Sequence, residues 1–205
     1  MDPTRRVVLL HGLWMWPAAM GVLARRLAHA GFDCERIGYP SVRGPASAAV
    51  SRVAQVLREG ECDVVAHSLG GLMALHALEA EPDLPVRRVV CLGSPLCGSL
   101  AASRLERLPV LGASLGHSRR VLHRGCRPWR GRAQVGMVAG CRPLGLGRLL
   151  GRIEGANDGA VGVVETRLDG LADHVVLPTS HTGMIFSDDV ARQVVAFLRD
   201  GRFRH

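Results

Sequence analysis

A serine near residue 70 has the surroundings that an enzymatic nucleophile requires. Ser68 lies in the run AHSLGG, residues 66–71, directly after a strand-like apolar run and directly before a helical pattern. In the nucleophile elbow G-x-S-x-G, small residues stand two positions before and after the serine because the strained turn leaves no room for side chains. Ala66 and Gly70 meet this steric demand. Ser68 is therefore a candidate nucleophile, although a serine that caps a helix has the same surroundings in sequence.

A nucleophilic serine needs a base within hydrogen-bond reach, and His181 is the candidate for that role. His181 lies in LPTSHTGMIF, residues 177–186, between the last strand-like run and the last helical pattern. It is therefore expected on a loop at the same sheet edge as Ser68. Most other histidines fall in predicted helices, in a long connection or at the chain end, and His67 is expected to point away from Ser68. A solvent-exposed loop histidine is the alternative interpretation of His181.

A third group must orient the base, and Asp158 in EGANDGAVGV, residues 154–163, is the candidate acid. The glycines around it allow the chain to turn so that a short carboxylate can point at an imidazole N–H. The chain order Ser, Asp, His also accompanies the nucleophile elbow. An Asx turn is the alternative for Asn-Asp-Gly. Glu154, Asp169 and Asp173 remain rival acids at this point.

The oxyanion of an acyl-transfer intermediate needs backbone N–H donors, and two residues are expected to supply them. One donor is the residue after the nucleophile, Leu69, and the other is Leu13 in the loop LLHGLW that follows the first strand. Trp14, Met15 and Trp16 are expected to present an apolar wall to a substrate. The alternative is that these three side chains belong to the core.

The elements that would position these residues alternate along the chain. Strand-like runs occupy 6–10, 33–38, 62–67, 87–92, 133–139 and 174–178, and helical patterns occupy 17–30, 46–59, 69–80 and 187–199. Such alternation predicts an α/β fold with a mostly parallel sheet of about six strands and helices on both faces. Ligands then bind beyond the carboxyl ends of the strands. The chain of 205 residues is predicted to form one domain, residues 1–205.

One connection, residues 95–132, is longer than the others and strongly basic. It holds 8 Arg and 1 acidic residue, whereas residues 1–94 hold 10 Arg and 9 acids and residues 133–205 hold 8 of each. Leucines and Trp129 interleave with the arginines, which predicts an amphipathic segment. A connection of this length in a compact domain is usually a functional lid or a small subdomain.

Taken together, these motifs resemble the α/β-hydrolases of the lipase and esterase type, especially the small bacterial members. The matching pieces are HG at 11–12, AHSLGG at 66–71, DG at 158–159, HTGM at 181–184, and LGSPLCGS at 92–99, which is similar to a G-[ST]-P-x-x-G-S stretch of lipase-like hydrolases. The resemblance implies the α/β-hydrolase fold with strand order 2-1-3-4-5-6 and residues 95–132 as a lid or cap insertion. It also implies cleavage of carboxylic esters through Ser68, His181 and Asp158 by an acyl-enzyme, without metal or organic cofactor.

Other functions remain open on the sequence alone. An acyl-thioesterase or transacylase would use the same fold and the same residues. The lid arginines could rest on anionic lipid headgroups, a membrane surface or the phosphates of an acyl carrier, or could form only a solvated basic face. A non-catalytic protein that binds nucleic acid is a further class. It is disfavoured because Trp129 is the only aromatic residue in the basic segment.

The composition of the chain limits the classes of protein to which it can belong. Apolar residues make up 47% of the chain, which excludes a disordered chain, and no apolar run reaches the length of a membrane helix. The amino-terminal apolar stretch is interrupted by His11, Gly12 and Pro17, and it is interpreted as a buried strand rather than a secretory signal. The six cysteines contain no C-x-x-C pair and are expected to be reduced thiols, without a zinc site. A cytoplasmic protein is therefore expected.

Overall fold

A sheet of six parallel strands, in the order 2-1-3-4-5-6 when numbered along the chain, forms the centre of the molecule. The computed structural model describes residues 4–42, 44–105, 115–144 and 153–205. The order and the parallel direction confirm the predicted topology. The strands begin and end within one residue of the predicted limits: β1 Arg5–Leu10, β2 Phe32–Ile37, β3 Cys62–His67, β4 Val86–Leu92, β5 Gln134–Gly140 and β6 Asp173–Leu177.

The central strands are apolar on both faces because helices cover both sides of the sheet. Every residue of β3 is buried, and β1 is buried from Val7 to Leu10. The outer strand β2 has the sequence FDCERI and keeps only its two end residues buried. The charged side chains of β2 leave this edge unsuited to pairing with another strand.

The described residues form six α-helices, which connect or follow the strands. Their bounds are α1 Gly21–His29, α2 Ala46–Leu57, α3 Leu69–Ala80, α4 Leu100–Leu105, α5 Arg119–Arg124 and α6 Asp188–Asp200. The helix predicted over 17–30 begins instead as a 3₁₀ turn, Pro17–Met20, before α1. The helix predicted over 46–59 ends at Leu57, close to Gly60. In the described part of the chain, no helix is both long enough and apolar enough to cross a bilayer.

The core consists of two layers, one on each face of the sheet. Alternate residues of the strands, such as Val8 and Leu10 of β1, pack with α2 and α3 on one face. The intervening residues, such as Val7 and Leu9, pack with α1 and α6 on the other face. This three-layer arrangement holds the carboxyl ends of the strands at one edge, where the candidate site residues follow β1, β3, β5 and β6.

The long connection after β4 packs its apolar side chains onto the α2–α3 layer. Leu105, Leu115, Leu122 and Trp129 are buried in that core. Its arginines at 119, 120, 124, 127, 130 and 132 are exposed. Residues 106–114 of the predicted lid lie outside the described residues. The segment is therefore amphipathic over its described part.

Candidate active site

Ser68 occupies a sharp turn between β3 and α3. Its φ is 53° and its ψ is −120°, and Trp14, with φ 57°, is the other non-glycine residue with positive φ in the described ranges. Such a backbone conformation costs roughly 1–3 kcal/mol and persists where the surrounding structure imposes it. Ser68 stands at the N-cap position of α3, but its side chain makes no capping hydrogen bond. The hydroxyl is therefore not used as a helix cap.

The two glycines after Ser68 allow α3 to start against the ends of neighbouring strands. A Cβ atom on Gly70 would lie 2.8 Å from the carbonyl oxygen of His11 and 2.9 Å from that of Leu10. A Cβ atom on Gly71 would lie 2.2 Å from Oγ of Ser94. All three distances are shorter than van der Waals contact, so the helix can approach this closely only with glycine at 70 and 71.

Ser68, His181 and Asp158 form a continuous hydrogen-bonded chain. Nε2 of His181 is 3.0 Å from Oγ of Ser68, and Nδ1 of His181 is 2.7 Å from Oδ2 of Asp158. An ionised carboxylate can only accept, so Nδ1 carries the proton and Nε2 is free to accept the hydroxyl proton of Ser68. Asp158 is 1% exposed, which keeps water away from the carboxylate. This arrangement can turn a serine hydroxyl into a nucleophile.

The loop that carries Asp158 holds its carboxylate in place. Oδ1 accepts hydrogen bonds from the backbone N–H groups of Ala160, at 2.9 Å, and Val161, at 2.7 Å. The backbone carbonyl of Asp158 accepts from the N–H of His181 at 2.9 Å. The Asx-type turn that was the alternative interpretation of Asp158 is therefore present together with the contact to His181.

Gly93 allows the end of β4 to approach this acid and histidine. Its φ is +56°, and a Cβ atom there would lie 2.9 Å from Oδ2 of Asp158 and 3.2 Å from Nδ1 of His181. Any side chain at Gly93 would therefore press on the contact between the two groups. Gly93 belongs to the GSP motif quoted from the sequence.

Within the described residues, none of the rival acids contacts the ring of His181. Glu154 and Asp169 are both exposed. The carboxylate of Asp173 accepts from the backbone N–H groups of His174 and Phe203, each at 2.7 Å. Among the described residues, Asp158 is the carboxylate that contacts the ring of His181.

The loop after β1 is fixed by an aromatic pair that the sequence did not reveal. The ring of His11 stacks on Tyr39 with 4.5 Å between centroids, and the hydroxyl of Tyr39 donates to the carbonyl of His11. Nδ1 of His11 donates to the carbonyl of Gly12 at 2.8 Å, and burial lowers the pKa of His11. Within the described residues, the N–H groups of Leu13 and Leu69 donate no hydrogen bond to another backbone group.

A mostly apolar cavity of about 360 Å³ opens beside Ser68 and His181. Trp14 and Met15 lie in its wall, whereas Trp16 is 78% exposed and does not line it. The long connection supplies much of the remaining surface through Ser99, Ala101, Ala102, Leu105, Leu115 and Leu122. The volume falls within the roughly 300–1,000 Å³ of small-molecule sites, so the cavity can hold an organic ligand next to Ser68.

His67 is a site residue that sequence reasoning set aside. Its Nε2 atom is 3.0 Å from the carbonyl oxygen of His181, and the two rings are 4.8 Å apart between centroids. Burial and the neighbouring His181 lower the pKa of His67 to about 3. Nδ1 of His67 is buried and has no hydrogen-bond partner among the described residues. The position directly before Ser68 was the one signal in the sequence for such a contact.

The described part of the site shows no arrangement suited to a metal ion. In the ranges that the structure describes, no three His, Cys, Asp or Glu side chains lie close enough together to hold one. The hydroxyl of Ser68 and the imidazole of His181 form a hydrogen-bonded pair beside the cavity.

Comparisons with known proteins identify relatives of this chain. A family model described as "Alpha/beta hydrolase family" matches residues 7–196. A lipase from Bacillus licheniformis in its mature form is 21% identical, with a TM-score of 0.78 over 97% of this chain and 92% of that chain. A phospholipase from Legionella pneumophila is 14% identical, with a TM-score of 0.75 over 96% of this chain and 60% of that chain. A monoacylglycerol lipase from Paleococcus ferrophilus is 17% identical, with a TM-score of 0.64 over 95% of each chain. No curated protein matches the sequence.

Proposed function

Because the chain belongs to the alpha/beta hydrolase family, we propose that it hydrolyses carboxylic esters through an acyl-enzyme on Ser68. The observation that carries the proposal is the hydrogen-bonded chain from Ser68 through His181 to Asp158 in the wall of an apolar cavity. Several solved structures with this fold are described as lipases or esterases, which supports the same reaction class.

In the first half of the reaction, Oγ of Ser68 attacks the ester carbonyl carbon while Nε2 of His181 takes the hydroxyl proton. The carbonyl π electrons move onto its oxygen. When the C–O bond to the alcohol breaks, that oxyanion reforms the carbonyl, and His181 gives its proton to the departing alcohol. Asp158 stabilises the imidazolium through Nδ1–H of His181, which lies 2.7 Å from its Oδ2.

The oxyanion would be held by the backbone N–H groups of Leu13 and Leu69. Leu69 is the first residue of α3, so its N–H has no acceptor inside the helix and lies at the positive end of the helix dipole. The loop of Leu13 is held through His11 and Tyr39, which limits its movement as charge develops on the substrate.

In the second half, water attacks the acyl carbon and His181 acts as the base again. The proton from water passes to Nε2 of His181 and then to Oγ of Ser68 as the acyl–enzyme bond breaks, which releases the carboxylic acid and restores the site. This cycle uses only the groups described above and water.

The acyl group is the part of the substrate that the cavity fits. Its wall is formed largely by apolar side chains, among them Leu105, Leu115 and Leu122, with Trp14 and Met15 near Ser68. An aliphatic chain would gain about 0.8 kcal/mol for each buried CH₂ group. A substrate with an aliphatic acyl chain is therefore favoured over a small polar ester.

The segment 95–132 would serve as the lid of this cavity. Leu122 of α5 faces the cavity, whereas Arg120, Arg124 and Arg127 line a separate groove between the segment and helices α2 and α3, where Glu79 also lies. These three arginines are exposed, so their guanidinium groups are accessible to phosphate oxygens. We expect this basic face to bind the headgroups of anionic lipid. Nucleic acid is not the expected partner, because Trp129 is 7% exposed and cannot stack on a base.

Salt-dependent vesicle binding tests the basic face. Vesicles of anionic phospholipid should bind the wild type at low ionic strength and release it as salt rises. Arg120→Gln with Arg124→Gln should weaken this binding, while Arg202→Gln with Arg204→Gln, which removes two exposed arginines at the carboxyl end, should weaken it less. Equal losses in the two variants would contradict a specific role for the lid.

An acyl-chain series tests the reaction. Nitrophenyl esters of increasing chain length, and the matching thioesters, should be cleaved by the wild type and left intact by Ser68→Ala. A preference for thioesters would indicate the alternative activity, that of an acyl-thioesterase or transacylase that uses the same residues. Turnover that persists in Ser68→Ala would contradict the proposal.

A further inference from the structure

We propose that His67 is a positioning residue that holds the general base His181 in line with Ser68. The inference rests on the proposed function, since positioning has meaning only for a working base. His67 precedes Ser68 in the chain and is 1% exposed, yet its side chain reaches the loop that carries His181. It thereby joins the nucleophile elbow to a loop more than a hundred positions away.

Two backbone contacts fix His181. Nε2–H of His67 donates to the carbonyl oxygen of His181 at 3.0 Å, and the N–H of His181 donates to the carbonyl of Asp158 at 2.9 Å. One contact ties the base to the elbow and the other ties it to the acid-bearing loop. The ring of His181 therefore projects from a backbone that is held on both sides, between Oδ2 of Asp158 and Oγ of Ser68.

The ring of His67 also touches the loop after β1. A Cβ atom on Gly12 would lie 2.9 Å from Nδ1 of His67 and 3.2 Å from Cβ of Ser68. The imidazole thus fills the space between the loop of Gly12 and the loop of His181. Because Leu13 follows Gly12, a change at His67 disturbs the base and the expected oxyanion donor together.

The charge state of His67 suits this position. A carbonyl oxygen can only accept, so Nε2 of His67 carries a proton. Burial and the neighbouring His181 lower the pKa of His67 to about 3, so the ring is neutral near pH 7, with Nδ1 unprotonated, and stays neutral when His181 takes a proton. A cation at His67 would repel the imidazolium of His181, whose ring centroid lies 4.8 Å away.

Three substitutions separate positioning from packing. His67→Leu removes the donor and keeps an apolar side chain. His67→Gln can place an amide N–H where Nε2 of the imidazole lies, whereas His67→Asn is one methylene too short to reach the carbonyl of His181. Gln and Asn therefore form a matched pair that differs in this contact, and urea unfolding of each variant confirms that it is folded.

The kinetic result follows from the distance that the contact controls. A misplacement of about 1 Å can cost about 10²-fold in rate. His67→Leu and His67→Asn should lower kcat per active site on a nitrophenyl ester by about 10- to 100-fold, with KM changed less than about threefold. His67→Gln should return kcat to within about fivefold of the wild type, because the hydrogen bond is restored. Active sites are counted by titration with a fluorophosphonate.

The outcomes separate the two proposals. The positioning role alone would be overturned if His67→Leu and His67→Asn kept the wild-type kcat per titrated site. Equal losses of kcat in His67→Gln and His67→Asn would also overturn it. Absence of Ser68-dependent turnover in the wild type would overturn the proposed function and the positioning role together. A loss of kcat in His67→Leu and His67→Asn, together with near-wild-type kcat in His67→Gln, supports the positioning role.

Discussion

At the scale of single residues, Asp158 uses its two carboxylate oxygens for different tasks. Oδ1 accepts from the N–H groups of Ala160 and Val161, and Oδ2 contacts Nδ1 of His181. The sequence offered an Asx turn and an acid as alternatives, and the structure contains the contacts of both. The loop hydrogen bonds aim the second oxygen at the histidine, so local turn chemistry and the site geometry support each other.

Replacing Asp158 with Asn tests its part in catalysis. The new amide oxygen can still accept from the loop, but the amide N–H₂ would face Nδ1 of His181 and favour the tautomer with the proton on Nε2. The ring could then no longer accept the proton of Ser68, and kcat should fall by about 10⁴-fold. Ester hydrolysis measures this loss.

Asp173→Asn provides the control, since its carboxylate contacts His174, Phe203 and His205 and not His181. We expect this control to keep kcat within about threefold of the wild type. Near-normal kcat in Asp158→Asn would move the acid role away from Asp158.

At the scale of elements, the elbow depends on how closely α3 approaches its neighbours. Gly70 packs against the end of β1, and Gly71 packs against Ser94 after β4.

The sequence predicted α3 correctly, as well as the strand before it, because both patterns are long and regular. It did not predict α4 and α5, since a helix of six residues is too short to show a clear period. The sequence also did not predict the stacking of Tyr39 on His11. Strand order places a loop at one edge of the sheet but does not specify the directions of its side chains.

A double-mutant cycle tests the packing of α3. In Gly71→Ala, the new Cβ atom meets Oγ and Cβ of Ser94, and this overpacking should cost about 1–3 kcal/mol in the free energy of unfolding. Adding Ser94→Gly removes both atoms and should recover about 1 kcal/mol or more of that loss. Urea denaturation measures all four proteins.

Gly60→Ala is the matched control for the cycle, because no heavy atom lies within 4 Å of its Cβ position. It should change the free energy of unfolding by less than about 0.5 kcal/mol. Strict additivity between Gly71→Ala and Ser94→Gly would contradict the predicted contact.

At the scale of the whole molecule, the parallel sheet brings four distant parts of the chain to one edge. Strand order and alternation were sufficient to predict that Ser68, Asp158, His181 and Leu13 follow strands at the same edge. The contact between His67 and His181 spans 114 positions, and it depends on side-chain directions that periodicity does not specify. The fold was therefore more predictable than the supporting contacts of the site.

The pH dependence of stability follows from the buried histidine. The pKa of His67 is lowered to about 3, first by burial and then by the charges of His181 and His11. The hydrogen bond to the carbonyl of His181 and the charge of Asp158 oppose this shift. A lowered pKa means that the unfolded chain binds the proton first. The contribution of His67 to the free energy of unfolding is therefore fully present above pH 6.5. As the pH falls from 6.5 toward 3, this contribution decreases by about 1.4 kcal/mol for each pH unit.

Urea denaturation of the wild type and His67→Gln at pH 7 and pH 5 measures this contribution. The wild type should lose about 2 kcal/mol more than the variant between these two pH values. His11 and His174 also have lowered pKa values and act in the same direction, but they are present in both proteins. The same pH dependence in both proteins would contradict a neutral, buried His67.

Covalent labelling most directly tests whether Ser68 is a nucleophile activated by His181. After reaction with a fluorophosphonate, peptide mass analysis should find one adduct per chain, on Ser68, and His181→Ala should slow its formation by several orders of magnitude. Ser68→Ala should carry no adduct. An unlabelled wild type, an adduct on another residue, or undiminished labelling of His181→Ala would contradict the account.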